Sequence, residues 1–575
     1  MSPRFRRPSA APAAIAALAV GALAAPGLAS AAVQRTVTPI VSASPQTDVL
    51  SSVVSLKVPL PSTAVAHPAA CDWISYERWR SASGPSDPTQ ADAVVILQPG
   101  LVEGATAFDA VARNAIEDSA AAGKHIEVWG IDRRSNCLED HTGTDAAIKA
   151  QNPEVAIDYY YRGKPVDGKT FGGFDPDDRV LGDLGVAQTV NDEYAILTNE
   201  LPNQAWREKH VICGGHSLGG PITEIFAGWD FDGNPATTTD AGYRQCAGFF
   251  GFDTSLDGGS LVKGNTATSS LLSKFGAGVL KTASGATIAA IKSGLVPRHV
   301  DLIGINPESM NALEMISYLA EDHPDDEATK LVSEVPRDKH MEDFLHLAGS
   351  PDLGAYVNSK ASVRNYRYTN MALFGQIMDD NGAAYGLVRS SFGYFDGAPL
   401  RTNLLPSQGA NVPILGQLVT KGPLVMPIEQ KNQQLSTWRN YDDLPAGAAG
   451  VTSPGEEVTD DIQFARAVNE GPLNLTENYF PIRLLLETSL LAQGNRNGTL
   501  ANAIYPRATE KKPRFTVLAG GGVVVADGSK PVDPYVIAPG YQHLDVLTAA
   551  KKQNNGQPEI SSTTLSDFTD ANTGS

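Results

Sequence analysis

The 575-residue sequence has few cysteines, an excess of acidic over basic residues and, beyond its first thirty positions, no long apolar run. Its four cysteines stand far apart, at Cys71, Cys137, Cys213 and Cys246, which excludes the paired C-x-x-C spacing of a zinc site. Lysine and arginine number 45 against 64 acidic residues, and the formal charge of −19 disfavours nucleic acid and anionic membranes as partners. We expect no integral membrane segment in the mature chain, because a spanning helix needs about 20 apolar residues.

The sequence also lacks the commonest signals of metal and dinucleotide chemistry. It contains no H-E-x-x-H pair and no dinucleotide fingerprint after a predicted strand. We therefore expect no metal site, no nucleotide and no other cofactor.

The first 31 residues have the pattern of an export signal. Positive charge in RFRR precedes the apolar stretch AAIAALAVGALAA, and small residues at 29–31 offer a cleavage point. A membrane anchor would need a longer run than this one, which is broken at Pro26 and Gly27. In an oxidising compartment the four cysteines can form two disulfides in any of three pairings, with buried free thiols as the alternative at Cys213 and Cys246.

Buried strand-like runs and amphipathic segments alternate in two parts of the chain. We predict strands at 91–100, 125–132, 209–215, 246–253 and 514–521, and helices at 106–123, 184–201 and 218–229. Residues 534–552 are predicted to form the last strand, a loop and a helix. This alternation predicts an α/β fold with a mostly parallel, doubly wound sheet covered by helices on both faces. In such sheets the functional groups collect at the carboxyl ends of the strands.

Between about 257 and 510 the pattern changes. Long helix-like segments, such as 308–322 and 338–349, are separated by loops rich in Pro, Gly and Asn, which indicates an inserted helical cap. The expected organisation is a signal peptide (1–31), an N-terminal arm (32–65), a core in two parts (66–256 and 511–552), the cap (257–510) and a polar, frayed tail (553–575).

The segment Gly215-His216-Ser217-Leu218-Gly219 fits the pattern G-x-S-x-G and lies between a predicted strand and a predicted helix. Such a turn can hold a nucleophilic serine above a sheet, and its glycines avoid a clash across the turn. A serine needs a base within hydrogen-bond reach and an acid to orient that base. His543, in a loop after the last predicted strand, is the best candidate base, whereas a merely structural turn is the alternative.

Four segments together, GHSLGG, VILQPGLVEG, VWGIDRRSNCLEDH and GYQHLDVLTA, resemble the α/β-hydrolase superfamily, especially its secreted, capped esterase and lipase-like members. The resemblance covers residues 70–256 and 511–552. It implies Ser217 as nucleophile, His543 as general base, and the backbone N–H groups of Leu218 and Leu101 as oxyanion donors. The Gln-Pro-Gly sequence at 98–100 departs from the His-Gly common in the family, so Val102 is an alternative to Leu101.

The acid has three candidates. The usual family arrangement places it after the strand before the last one, which favours Asp527 and, further along the same loop, Asp533. A minority arrangement places it after the strand that follows the nucleophile helix, which is Asp253. We prefer Asp527, with Asp253 and Asp533 as alternatives.

These observations predict a secreted serine hydrolase that cleaves carboxylic esters through an acyl-enzyme on a Ser-His-Asp triad. The expected substrate is a small-molecule or lipid-like ester, since a large helical cap favours a closed, apolar pocket. Acyl transfer or peptide cleavage on the same triad, and a non-catalytic hydrolase-fold binding protein, are the alternatives. The sequence leaves the acyl preference and the oligomeric state open.

Overall fold

The computed structural model describes residues 33–256, 285–385, 388–410, 412, 424–428, 434–444, 456–526, 533–553 and 558–574. The predicted signal peptide lies outside the described residues, and so does Asp527.

Within the described part of the chain, nine strands form one sheet, in the order β1-β2-β3-β5-β4-β6-β7-β12-β13, with the strands numbered along the chain as given below. Four further strands, β8 to β11, form two small antiparallel pairs. The strands are β1 (Arg35–Ile40), β2 (Val49–Lys57), β3 (Trp73–Ser81), β4 (Ala93–Gln98), β5 (Ile126–Asp132), β6 (Val211–His216), β7 (Gly248–Phe252), β8 (Gly393–Asp396), β9 (Leu400–Asn403), β10 (Leu424–Pro427), β11 (Thr437–Asn440), β12 (Arg514–Ala519) and β13 (Tyr535–Ala538).

The helices confirm the predicted alternation with the strands. They are α1 (Asp109–Ala121), α2 (Thr142–Ala150), α3 (Glu154–Arg162), α4 (Val186–Glu200), α5 (Gln204–His210), α6 (Gly219–Ala227), α7 (Gly285–Ser293), α8 (Pro307–Asp322), α9 (Thr329–Glu334), α10 (Lys339–Gly349), α11 (Leu353–Val357), α12 (Asn370–Met378), α13 (Leu405–Gly409), α14 (Asp461–Val468), α15 (Ile482–Ala492), α16 (Val523–Ala526), α17 (Asp545–Thr548) and α18 (Ile560–Asn572).

The centre of the sheet is parallel and buried on both faces. Strands β5, β4, β6, β7, β12 and β13 pair in parallel, and every residue of β4 and β6 is buried. Along β4 the side chains alternate between two cores: Val95 belongs to the core that contains Val111 of α1, and Ile96 to the core that contains Ile222 of α6. A continuous apolar run is the sequence expected of a strand covered by helices on both sides.

The predicted N-terminal arm is part of this sheet. Strands β1 and β2 extend it antiparallel at one edge, and β3 pairs antiparallel with β5. Alternating burial along β2 explains the pairing, because one face of an antiparallel strand packs on the core while the other faces water.

A large, mainly helical region separates β7 from β12 in the chain. It contains the helices α7 to α15 together with the pairs β8·β11 and β9·β10, which the sequence pattern did not indicate. The fold class is confirmed in its architecture: within the described residues, a mostly parallel sheet with helices packed on both faces carries a large, mainly helical insertion. The exact limits of the cap stay a prediction.

The tail expected to fray from residue 553 is ordered over Ile560–Asn572, so that expectation is wrong for this stretch. Helix α18 packs against α1, with Leu565 fully buried and Phe568 5.5 Å from the ring of Phe250. The Glu559 carboxylate caps the helix by accepting from the N–H groups of Ser561 and Ser562. Polar composition concealed a helix whose large apolar side chains, Ile560, Leu565 and Phe568, pack on the core.

Two disulfides, Cys71–Cys137 and Cys213–Cys246, select one of the three possible pairings. The second joins β6 to the segment that enters β7, so it ties together the two strands on either side of the serine turn and its helix. Within the described residues, no helix combines the length and the apolar composition needed to cross a bilayer.

Candidate active site

Ser217 lies at the sharp turn between β6 and α6, at the carboxyl edge of the parallel sheet. Its φ of 52° places the backbone in the left-handed region, which a serine adopts only under constraint from its surroundings. A Cβ on Gly215 would lie 2.6 Å from the carbonyl carbon of Gly219, and a Cβ on Gly219 would collide with the carbonyl oxygen of Gln98. The two glycines therefore allow β6 and α6 to approach closely enough to form the turn.

His543 bridges the serine and a carboxylate. Its Nε2 lies 2.9 Å from Ser217 Oγ, and its Nδ1 lies 2.5 Å from Asp253 Oδ2. A carboxylate only accepts hydrogen bonds, so Nδ1–H donates to Asp253 and Nε2 is left to accept from the serine hydroxyl. All three side chains are buried.

Asp253 directly follows β7 and is fixed by the neighbouring strand β12. Its N–H donates to Val517 O at 2.7 Å, while Oδ2 accepts from Val523 N–H at 2.9 Å and Oδ1 from Ala519 N–H at 3.3 Å. The carboxylate is therefore held in one orientation toward the histidine.

The carboxylate that contacts His543 is that of Asp253, which the sequence-based prediction named as an alternative to Asp527. Asp527 lies outside the described residues, and Asp533 accepts a hydrogen bond from Thr516 Oγ1 at 2.6 Å. Strands β7 and β12 are neighbours, so their carboxyl ends share one edge of the sheet, and an acid after either strand could in principle approach the same histidine.

Burial and the positive charge of His216 lower the pKa of His543, although the hydrogen bond to Asp253 acts in the opposite direction. A lowered pKa keeps the imidazole neutral at and somewhat below neutral pH. A neutral imidazole with Nε2 free to accept a proton is the form that a general base needs.

A second buried histidine, His216, lies next to the first, with ring centroids 4.5 Å apart. Its Nδ1 lies 3.0 Å from both oxygens of Glu103, and its Nε2 lies 3.0 Å from the backbone carbonyl oxygen of His543. Both ring nitrogens face acceptors, so both carry protons and the ring is an imidazolium paired with a carboxylate. Burial opposes this charge, but Glu103 outweighs it and raises the pKa of His216.

His216 occupies a variable position of the G-x-S-x-G turn, and Glu103 was not among the predicted site residues. No sequence signal links the two, because they are 113 positions apart and neither occupies a fixed position of the serine pattern.

The loop after β4 lies beside the serine. A Cβ on Gly100 would be 3.1 Å from Ser217 Cβ, and the Gly100 N–H donates to Glu103 Oε2. Arg133 fixes the same loop by donating to Gly100 O at 2.8 Å. Among the described residues, neither the Leu101 N–H nor the Leu218 N–H has a hydrogen-bond partner, as expected of donors kept for a ligand.

A narrow cavity of about 80 Å³ opens over Ser217 and His543. Leu101 and Val102 of the β4 loop form one side. The remaining wall is mostly apolar and comes largely from the insertion, chiefly Ile305, Met310, Leu313, Phe344, Ile377 and Met378.

One sequence match runs against the expectation of no nucleotide. The letters GKPVDGKT at 163–170 fit the pattern G-x-x-x-x-G-K-[ST] of phosphate-binding loops. Such a loop follows a strand and opens a helix, whereas this segment follows the helix α3, and the described residues 163–178 contain no helix. Lys169 Nζ donates instead to Asp140 Oδ1 at 2.8 Å and Thr142 Oγ1 at 2.9 Å. The geometry does not support a phosphate-binding loop here.

No protein-family model matches the chain, and no curated protein matches it. Among solved structures, the peroxisomal α/β-hydrolase Lpx1 from Saccharomyces cerevisiae aligns at 9% identity over 94% of this chain and 88% of its own, with a TM-score of 0.29. Juvenile hormone epoxide hydrolase from the silkworm Bombyx mori aligns at 9% identity over 90% and 78%, with a TM-score of 0.31. A putative carboxylesterase from Lactobacillus plantarum aligns at 12% identity over 42% and 65%, with a TM-score of 0.15. Likeness at these TM-scores carries no argument about activity.

Proposed function

We propose that this protein is an exported serine hydrolase that cleaves carboxylic esters through an acyl-enzyme. The observation that carries the proposal is the unbroken chain of hydrogen bonds from Ser217 Oγ through His543 to Asp253. A nucleophile, a base and an orienting acid in this order are the minimum that acyl transfer from a serine requires.

In the proposed reaction Ser217 Oγ attacks the ester carbonyl carbon and its proton passes to His543 Nε2. The resulting imidazolium keeps its Nδ1–H bond to Asp253 and then donates the Nε2 proton to the leaving alkoxide, which departs as the alcohol. Water attacks the acyl-enzyme in the same way, giving its proton to His543, and the carboxylic acid leaves as Ser217 Oγ recovers a proton.

The tetrahedral intermediates place a negative charge on the former carbonyl oxygen. We assign the backbone N–H groups of Leu218 and Leu101 as its donors, because both are without a partner among the described residues and both belong to turns that border Ser217. One such donor typically lowers the barrier by about 3 kcal/mol. Val102, whose N–H also has no hydrogen-bond partner among the described residues, stays the alternative to Leu101.

The His216–Glu103 pair would position three parts of the site at once. Glu103 holds the β4 loop through the Gly100 N–H, while His216, the last residue of β6, holds the His543 loop by donating from Nε2 to the backbone carbonyl of His543. The role we propose for His216 is to position His543 and to lower its pKa, not to react.

The cavity supports an ester with an apolar group as the substrate. Its mostly apolar wall cannot satisfy the hydrogen bonds of a polar chain, whereas each buried methylene contributes about 0.8 kcal/mol. The disulfides and the N-terminal sequence support export, since disulfides persist in oxidising compartments.

Hydrolysis of a chain-length series of p-nitrophenyl esters tests the proposal. We expect turnover by the wild-type enzyme and a loss of at least about 10³-fold in Ser217→Ala, with Ser350→Ala, another buried serine, as the matched control. Absence of turnover by folded wild-type protein with every ester, or full activity in Ser217→Ala, would contradict it.

A further inference from the structure

The loop that follows α6 carries three aspartates whose carboxylate oxygens converge. One oxygen from each of Asp230, Asp232 and Asp240 lies within 4.8 Å of the other two. The ends of the loop are fixed, because Asp230 N–H donates to Asn502 O at 2.9 Å and Gly242 N–H donates to Trp229 O at 2.9 Å. Three carboxylates held this close repel one another unless protons or a cation compensate their charge.

The buried carboxylate of Asp230 indicates a ligand independently of the clustering. This side chain is only 1% exposed, and its Oδ1 has no hydrogen-bond partner among the described residues. The buried Oδ1 of Asp240 is also without a partner in the described part of the chain. A buried carboxylate oxygen without a donor costs free energy unless something absent from the polypeptide satisfies it.

Other carboxylate oxygens of these aspartates already accept hydrogen bonds within the loop. Asp232 accepts from the Asn234 N–H through Oδ1 and from Thr237 Oγ1 through Oδ2, and Asp240 Oδ2 accepts from the Asp232 N–H. These bonds fix the side chains of Asp232 and Asp240, whereas Oδ1 of Asp230 and Oδ1 of Asp240 have no hydrogen-bond partner among the described residues.

No basic side chain supplies the missing charge. Within the described residues, none of the three aspartates forms an ion pair with lysine, arginine or histidine. Lys511 Nζ instead lies over the rings of Tyr243 and Tyr505, at 4.0 and 5.2 Å from their centroids.

We propose that Asp230, Asp232 and Asp240 bind one divalent cation of the Ca²⁺ type. The stretch DFDGN places oxygen-bearing side chains at alternate positions 230, 232 and 234, the spacing that begins Ca²⁺ loops of the form D-x-[DN]-x-[DN]. The positions of Gly233 and Asp240 differ from those of the glycine and the last acidic ligand in a helix–loop–helix Ca²⁺ loop. The chain therefore shares only the alternating spacing of the first ligands with such loops. Oxygen ligands on a loop suit Ca²⁺ better than Mg²⁺, which demands a strict octahedron, and there is no sulfur or imidazole ligand for Zn²⁺.

The cation has a structural role in this proposal. Ser217 precedes α6 and the aspartates follow it, so the ion lies at the opposite end of the helix from the reacting groups. It would fix the connection from α6 to Cys246 and β7. The proposal is therefore independent of ester hydrolysis, and it adds a structural metal to a chain for which the sequence analysis expected none.

Thermal unfolding and isothermal titration calorimetry of the full-length, chelator-treated protein test the site with Ca²⁺ alone, and with Mg²⁺ as the comparison. We expect one Ca²⁺ bound per chain, with a dissociation constant of about 10⁻³ M or tighter. The melting temperature should rise by about 3 °C or more at saturating Ca²⁺. In Asp230→Asn the Ca²⁺ response should disappear while the melting temperature in chelator stays equal or rises, because a repulsive charge has been removed.

Two control variants show whether the Ca²⁺-induced rise in melting temperature comes from this loop. Asp177→Asn removes an exposed carboxylate, and Glu457→Gln removes one from the separate buried cluster Asp379, Asp380 and Glu457; both should retain the Ca²⁺ shift. If Asp230→Asn does not fold, the partly exposed Asp240→Asn gives the same information. A missing Ca²⁺ shift in the wild type, an equal shift in both loop variants, or loss of the shift only in Glu457→Gln would overturn the proposal.

Discussion

Asp253 Oδ2 lies 2.5 Å from His543 Nδ1, although 290 positions separate the two residues in the chain. Each residue comes from a loop at the carboxyl edge of the sheet, Asp253 after β7 and His543 after β13. The backbone N–H groups of Ala519 and Val523, one at the end of β12 and one just beyond it, hold the carboxylate in place. The carboxylate that contacts His543 therefore follows the strand next to the one that leads into Ser217.

Asp253→Asn should lower kcat by about 10⁴-fold while leaving the fold intact. An amide can donate to Nδ1 and so stabilises the wrong histidine tautomer, in which Nε2 carries the proton and cannot accept one from Ser217. Steady-state kinetics with a p-nitrophenyl ester measures the change. Asp533→Asn is the matched control and should stay within a few-fold of wild type; a comparable loss in Asp527→Asn, with Asp253→Asn active, would identify the other acid.

His216→Gln should move the acidic limb of the pH profile of kcat/KM to higher pH. Activity is lost as the pH falls through the pKa of His543, and burial together with the charge of His216 sets that pKa below its usual 6.5. The substitution removes the positive charge of His216, which lowers the pKa of His543, and leaves the negative charge of Glu103, which raises it. The pKa of His543 should therefore rise. A profile unchanged in position, measured on a variant that unfolds at the wild-type temperature, would show that His216 does not control this pKa.

Leu313→Trp should discriminate between short and long esters. Leu313 lines the cavity, so the larger side chain would occupy space that an extended apolar group needs. We expect kcat/KM for p-nitrophenyl octanoate to fall at least about tenfold more than that for the acetate. Leu295→Trp, at a residue that is 84% exposed, controls for the added indole. Equal losses for both esters would argue against this cavity as the acyl or alcohol site.

Replacing Cys213 and Cys246 together by alanine should lower the free energy of unfolding by about 3 to 4 kcal/mol. The disulfide closes a loop with a sequence separation of 33, and the chain-entropy model assigns a stabilisation of this size to such a loop. Denaturant unfolding under oxidising conditions measures the difference. Reducing agent should destabilise the wild type more than the double variant, because the double variant no longer has this crosslink to lose. Equal stability of the two oxidised proteins would contradict the pairing.

Much of the fold follows from local sequence, because apolar runs and helical periodicity depend on neighbouring residues. The serine turn was predictable for the same reason: its glycines and its place between a strand and a helix are adjacent in the chain. The choice of Asp253 was not, since β7 and β12 end at the same edge and only the three-dimensional course of their loops decides which carboxylate reaches His543.

The His216–Glu103 pair was beyond prediction from one sequence, because each residue is unremarkable in its local context. The C-terminal helix α18 was missed because a Ser- and Thr-rich composition outweighed the spacing of its few apolar residues, Leu565 and Phe568. In both cases long-range packing, absent from any local window, determines the structure.

Labelling by a fluorophosphonate, followed by intact-mass and peptide mass spectrometry, tests the central claim most directly. Such a probe phosphonylates a serine only when a neighbouring base activates its hydroxyl. We expect one adduct per chain, on the peptide that contains Ser217, and none on Ser217→Ala. Folded wild-type protein that remains unlabelled, or a Ser217→Ala variant labelled as fully as wild type, would contradict the account.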